Sequence, residues 1–173
     1  MLEEHRLDSK VHDCAAFDCG TPVLNEYLAR FATQHRRRGI AQIYVLVDSS
    51  LPSAVLGYDT LSAAEVHTAQ ITDADRQRLP RFPVPCFRMG RLAIRKDHKG
   101  MGLGKLLLGL AVDRCLRAKE EVAAYALIVD AKGERSKSFY EHFGFTSCTD
   151  QPLTLYLPLG RSFESGCVLR SLA

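Results

Sequence analysis

The sequence predicts a mixed α/β fold, a largely antiparallel sheet flanked by helices, from three observations. Two β-branched and aromatic runs, 40–48 and 55–66, are separated by the turn material Ser49 to Ser53 with Pro52, the signature of an antiparallel hairpin. Residues 123–129 are almost wholly apolar, as expected of a strand buried on both faces. After the glycines near 100, Leu103, Leu106, Leu107, Leu110 and Ala111 recur at helical spacing, and 134–142 reads as a last helix, with Phe139 and Phe143 four apart on one face. A strand pair, alternating helices and strands, and a closing strand pair make a mixed sandwich rather than a doubly wound sheet.

The elements follow in order. Glu3 to Lys10 reads as a first strand, and Asp13 to Asn25 as a loop containing Cys19-Gly20-Thr21-Pro22. Thr21 can cap a helix with Pro22 in its first turn. Leu24, Leu28 and Phe31 mark its apolar face, and Gly39 is a suitable stop. Within strand 55–66, Gly57 suggests a bulge. Thr72 to Leu79 reads as a short helix capped by Thr72, with Asp73 and Asp75 in its first turn. Pro80, Pro83 and Pro85 end it and lead into a strand, 86–94. The next helix runs to about Ala118. Helix 134–142 follows strand 123–129, and strands near 145 and over 153–157 close the domain, 1–159. Residues 160–173 show no periodicity and read as a mobile tail.

Composition bounds the function. The chain has 173 residues, 46% hydrophobic and 25% charged, enough for one domain with a core. No apolar run approaches membrane-spanning length, and the charged start MLEEHRLDSK lacks a signal-peptide core, so a cytoplasmic protein is expected. Cys14, Cys19, Cys86, Cys115, Cys148 and Cys167 are scattered, without metal-ligand spacing, and read as free, mostly buried thiols; no metal is expected. Net charge is only +3, but its distribution is uneven. Arg76, Arg78, Arg81, Arg88, Arg91, Arg95 and Lys96 fall in a run with no acid, and His35-Arg36-Arg37-Arg38 is a second cluster. Such clusters fit a polyanion partner; a solvated face is the alternative reading.

The most informative stretch is RMGRLAIRKDHKGMGLGKLLLGL, from Arg88 to Leu110. A short apolar strand feeds a loop with Gly100, Gly102 and Gly104, which opens a helix. The first amide groups of a helix have no internal acceptor, and glycine lets a ligand approach the backbone, so a phosphate-bearing cofactor is expected here. A tight loop with no ligand is the alternative. Spacing narrows the cofactor. A P-loop would need glycine where Lys99 stands and a hydroxyl residue at Leu106. A dinucleotide fingerprint would need glycine at Leu107 or Lys105. The second constellation is Ser136-x-x-Phe139-Tyr140-x-x-x-Gly144-Phe145. Phe139 and Phe143 share one helical face, and Tyr140 is turned about 100° from Phe139. Taken alone, Tyr140 also fits ordinary amphipathic packing.

Together these motifs resemble the GCN5-related N-acetyltransferase (GNAT) family over roughly residues 1–158. Lys99-Gly100-Met101-Gly102-Leu103-Gly104 stands where that family has Q/R-x-x-G-x-G/A, with lysine as the departure. Lysine keeps the charge but not the bidentate geometry. The resemblance implies the following. Acetyl-CoA enters between two splayed central strands. Its pantetheine arm pairs with the backbone of Leu92, Ala93 and Ile94, and its pyrophosphate is received by Lys99, Gly100, Met101, Gly102, Leu103 and Gly104, with Lys105 beside them. Ser136 and Phe139 contact the cofactor arm, and Tyr140 protonates the departing thiolate. Gly133 replaces an asparagine of the family, so one polar contact is missing.

A narrower resemblance is carried by LPRFPVPCFRMGRLAI, VDAKGERSKSFYEHFGF, LTLYLPL and FDCGTPVLNEYLARFATQ. These segments look like the acetyltransferase toxins of bacterial toxin–antitoxin modules. That implies transfer to the α-amino group of aminoacyl-tRNA, a block of translation, dimerisation and a ribbon-helix-helix antitoxin. Arg36, Arg37, Arg38, Arg81, Arg88 and Arg91 would then hold RNA phosphates, although Arg88 and Arg91 lie in or beside a strand and can pair with buried acids. The chemistry is compatible: a phenol, with an ordinary pKa of about 10, is protonated at neutral pH, and an α-amine near ~8 needs no strong base. No convincing base stands out; Glu65, His67 and Glu141 are unsupported candidates. Two other readings stay open: an acetyltransferase for a small amine or protein N-terminus, and a non-catalytic CoA-binding module acting through a protein partner.

Overall fold

A computed structural model describes residues 1–160. The tail expected from residue 160 lies, from 161 onward, outside the described residues, as does Cys167. The described residues are mixed α/β with seven strands, mostly antiparallel. Within them are two compact units: residues 1–62 with 90–111, and residues 63–89 with 112–160.

In the first unit, β1 (Leu2–Arg6) pairs antiparallel with β2 (Gln42–Asp48), from Leu2↔Asp48 to Arg6↔Tyr44. The expected hairpin is present: β2 pairs with β3 (Gly57–Val66), Gln42↔Leu61 to Leu46↔Gly57. Gly57 is not a bulge, because it pairs in register with Leu46. It is needed for space instead: a Cβ there would lie 2.7 Å from Ile94 Cδ1, 2.9 Å from Leu107 Cδ1 and 3.0 Å from the Ala93 carbonyl oxygen. The first helical stretch is α1 (Pro22–Glu26), a π-turn (Tyr27–Phe31) and α2 (Ala32–Arg37). Pro22 opens it as expected, but Thr21 makes no side-chain cap. The π-turn adds a residue to one turn, so the apolar face does not run as the α-period suggests. Leu24, Tyr27, Leu28 and Ala32 are buried, and Phe31 is exposed. Gly39 ends the stretch at φ +70. The core here joins Leu28, Ile43, Val45 and Tyr58, and Tyr58 Oη donates to the Leu24 carbonyl (2.8 Å).

In the second unit, residues 84–89 of β4 (Val84–Ile94) pair parallel with β5 (Ala126–Asp130) through Phe87↔Leu127 to Met89↔Val129. β5 is buried along residues 126–129, as its apolar run predicts, and pairs antiparallel with β7 (Thr154–Pro158), which holds the two-residue β6 (Thr146–Ser147). Helix α3 (Asp73–Arg76) is shorter than expected and follows a 3-10 turn, Thr68–Gln70. Thr72 does not cap α3 with its side chain. Its hydroxyl lies 3.2 Å from Asp75 Oδ2 and 3.1 Å from Tyr156 Oη, and Tyr156 Oη donates to Asp75 Oδ2 (2.7 Å). The same Tyr156 ring is fully buried beside Cys86, Ile128 and Cys148. Cys14, Cys19, Cys86, Cys115 and Cys148 form no disulfide, and burial pushes the Cys86 thiol up to about 11. No helix among the described residues is long and apolar enough to cross a membrane.

Candidate active site

The first unit carries the glycine loop. Leu92, Ala93 and Ile94 end β4; Ala93 is buried, and the other two pack against Leu46, Leu56, Leu103 and Leu107. The chain leaves β4 under restraint. The Arg95 N–H bonds the Leu56 carbonyl (2.8 Å), and the Lys96 N–H bonds the Asp18 carbonyl (2.9 Å). A 3-10 turn, Lys96–His98, delivers Lys99. Gly100 and Gly102 both sit at φ +80, a conformation other residues rarely adopt. Between them Met101 is exposed at the loop tip, and Leu103 is buried as the first residue of α4 (Leu103–Ala118). The Leu106 N–H bonds the Gly102 carbonyl (3.1 Å). The N–H groups of Leu103, Gly104 and Lys105 precede it and have no acceptor within the helix.

This loop leaves room for an anion. A Cβ at Gly100 or Gly102 would meet nothing within 4 Å, so the backbone faces open space. Unpaired helix donors, a positive helix end and the lysines 99 and 105 all favour an anion there.

The second unit carries the other motif on α5 (Glu134–His142). Gly133 precedes the helix and supplies no side-chain cap. Ser136 and Phe139 are half-buried, and Tyr140 is buried at 7% exposure. The Tyr140 ring lies 5.3 Å from Phe139 and 5.5 Å from Phe145, and Phe139 stands edge-on to Phe143 at 5.1 Å. Gly144 at φ +90 turns the chain so that the Phe145 N–H returns to the Tyr140 carbonyl (3.2 Å). The Tyr140 ring therefore packs against two aromatic rings, Phe139 and Phe145. Of the base candidates in this unit, Glu65 and His67 are exposed, and Glu141 lies 3.9 Å from Lys137 Nζ.

The arginines divide by environment. Arg36 donates from Nη1 to the Leu7 carbonyl. Arg88 donates to Asp130, whose other oxygen accepts from Thr154 Oγ1 (3.0 Å). Arg91 lies over the Tyr27 ring, 3.6 Å from its centroid, and the Tyr27 hydroxyl is 3.2 Å from His35 Nδ1. Arg37 and Arg38 are exposed. So is Arg81, which lines a concavity of about 650 Å³ in the second unit with Thr68 and Arg76.

Comparison with known proteins decides the family. The model of the acetyltransferase (GNAT) domain matches residues 43–147. The chain belongs to the GNAT acetyltransferases. Among GNAT relatives, a tRNA-acetylating toxin of Mycobacterium tuberculosis (strain ATCC 25618 / H37Rv) is 31% identical over 149 residues, 86% of this chain and 87% of that protein. The structure of AtaT complexed with acetyl-methionyl-tRNAfMet superposes with a TM-score of 0.87 at 28% identity, covering 95% of this chain and 98% of that one. A mutant AtaT toxin bound to the C-terminus of the antitoxin AtaR and acetyl-CoA gives a TM-score of 0.78 at 26% identity, with 91% and 93% covered.

Sequence reasoning missed one set of residues beside the glycine loop. Asp18, Gly20 and Asn25 were legible only as turn material. The signal was Asp18-x-Gly20, an aspartate two residues before a glycine, which is the pattern of a side chain bonding its own backbone two residues on. The partner of Arg91, Tyr27, had no sequence signal, because it depends on the π-turn.

Proposed function

We propose that this chain is an acetyl-CoA-dependent N-acetyltransferase acting on the α-amino group of aminoacyl-tRNA, and through that a translation-blocking toxin. What carries the reading is near full-length similarity to a tRNA-acetylating toxin, joined to a loop that leaves room for an anion. Residues 1–159 form the catalytic domain.

Acetyl-CoA supplies an acetyl group activated as a thioester. The backbone of residues 99–104 and the Lys105 ammonium hold the diphosphate. The end of β4, at Leu92, Ala93 and Ile94, offers strand backbone to the pantetheine arm, and Ser136 and Phe139 line it. The Tyr140 hydroxyl gives its proton to the departing sulfur. The acceptor needs no strong base: an α-amine with a pKa near ~8 is roughly one-fifth neutral at about pH 7.4. Exposed Arg37, Arg38 and Arg81 meet RNA phosphates directly. Arg36, Arg88 and Arg91 contribute from positions fixed by their own partners. A ribbon-helix-helix antitoxin neutralises the toxin, which works as a homodimer in the cytoplasm.

The test is labelled acetyl-CoA offered with charged tRNA, with small amines and with peptides bearing a free N-terminus. Label on the aminoacyl group of tRNA is expected; label only on small amines or peptides overturns the substrate. Tyr140→Phe should lower turnover by about 10²–10⁴-fold, the usual cost of a lost general acid. Unchanged turnover removes Tyr140 from the chemistry.

A further inference from the structure

We propose that Asp18 and Lys96 are positioning residues for the coenzyme's diphosphate: they clasp the 18–25 loop to the base of the glycine loop and so preset its shape. The inference rests on the cofactor reading above. Asp18 and Lys96 are joined twice, through side chains (Nζ to Oδ2, 2.6 Å) and through the Lys96 N–H to the Asp18 carbonyl (2.9 Å). The same carboxylate accepts from the Gly20 N–H (2.9 Å) and from Asn25 Nδ2 (2.8 Å). Asn25 Oδ1 in turn accepts from the Cys19 N–H (2.9 Å). Gly20, at φ +81, brings the chain under Lys99, whose Nζ lies 3.7 Å from where a Cβ on Gly20 would stand.

Stability alone does not call for the ion pair. The Asp18 side chain is 44% exposed and that of Lys96 63%, and exposed ion pairs contribute little. Position does call for it. Lys96 is the first residue of the 3-10 turn that delivers Lys99, so fixing Lys96 on both backbone and side chain fixes where the glycine loop begins. Preorganised donors hold a ligand better than donors that must first be ordered.

The sign of one substitution separates this from simple electrostatics. Asp18 is an anion near a site for an anion. By charge alone, Asp18→Ala should tighten coenzyme binding. As a clasp, it should loosen it. The experiment titrates CoA into wild type, D18A and D18N by calorimetry. It also measures kcat and KM with acetyl-CoA and with S-acetylpantetheine, which lacks the diphosphate. D18A is expected to raise the Kd for CoA and the KM for acetyl-CoA about tenfold, below the ~100-fold that a misplacement of about 1 Å can cost. Its kcat, and its turnover of S-acetylpantetheine, should match wild type. D18N keeps an acceptor for Gly20 without the ion pair and should fall between. CoA binding by D18A that equals or exceeds wild type overturns the proposal. So does an equal loss with both acetyl donors, which would mark general damage to the fold. A wild-type chain that does not bind CoA removes the cofactor reading and this proposal with it.

Discussion

Gly57→Ala is the sharpest probe of how the glycine loop is supported. The added Cβ would lie 2.7 Å from Ile94 Cδ1, 2.9 Å from Leu107 Cδ1 and 3.0 Å from the Ala93 carbonyl oxygen. Two of these are side-chain tips, but Leu107 is 0% exposed and has no room to swing. The third is backbone and can move only with β4. Overpacking of this kind costs about 1–3 kcal/mol, and a backbone contact places it in the upper half of that range. For a chain of this size that lowers Tm by roughly 4–12 °C, at about 2–4 °C per kcal/mol. Urea unfolding should show a lower midpoint with an unchanged slope. Ile94 and Leu107 flank the glycine loop on either side, so KM for acetyl-CoA should rise severalfold as well. Gly90→Ala is the control: its Cβ would meet only Thr60 Oγ1, at 3.5 Å, and its stability should stay within about 0.5 kcal/mol of wild type. If G57A is as stable as G90A, the close approach of β3, β4 and α4 is not what requires glycine here.

Three further outcomes are expected. Burial, and then the neighbouring His5, hold the His12 imidazole below its ordinary pKa against the opposing pull of Asp8. The folded chain therefore takes up that proton at lower pH than the unfolded chain, and stability fully present above about pH 6.5 is lost as pH falls from there through the lower folded pKa. Tm should drop between pH 7 and 5.5, and His12→Asn, which keeps an acceptor for the Asp8 N–H, should flatten the slope; parallel profiles would refute this. Arg88→Met and Asp130→Asn should each destabilise by about 0.5–1 kcal/mol, because the pair is about one-third exposed, and a double-mutant cycle should show them non-additive. Arg37→Glu with Arg38→Glu should weaken tRNA acetylation and reduce its salt dependence while leaving the KM for acetyl-CoA unchanged; unaffected acetylation would exclude these residues from the RNA surface.

The parts of the fold legible in the sequence were those governed by one local rule. The hairpin of β2 and β3, the buried run of β5 and the helix after Gly102 follow from period and punctuation. Gly100, Gly102 and Gly144 stand where φ is positive, and Gly39 ends its helix as expected. The failures arose where a residue answers to something distant in the chain. Gly57 reads as a bulge but is reserved for Ile94 and Leu107. Phe31 falls on the α-helical apolar face, yet the π-turn puts it outside and draws Tyr27 in. Thr72 has the form of a cap, yet its hydroxyl lies beside Tyr156, 84 residues away. The glycine loop and the Tyr140 helix could be picked out because each is continuous in sequence, whereas the Asp18–Lys96 pair joins segments 78 positions apart, and only its Asp18-x-Gly20 half leaves a local pattern.

The acid-free run from Arg76 to Lys96 shows why a run of charge is not a patch of charge. Along the chain it holds seven cations and no anion. In the fold, Arg76 bonds Asp73 (2.7 Å), Arg88 bonds Asp130, Arg95 bonds Asp97 (3.0 Å) and Lys96 bonds Asp18 (2.6 Å), each acid drawn from outside the run. Arg91 is stacked on Tyr27. That leaves Arg78 and Arg81 as the exposed members without a neutralising acid in these pairings, to which the second cluster adds Arg37 and Arg38. Each phosphate neutralised contributes roughly 0.7–0.9 to the slope of log affinity against log salt. Direct contacts by Arg37, Arg38 and Arg81 alone therefore give a slope of about 2–3, where a count of every arginine assigned to RNA from the sequence would give about 4–5. A slope at the higher value would mean that Arg36, Arg88 and Arg91 leave their internal partners when RNA arrives; the lower value would mean that they stay with them.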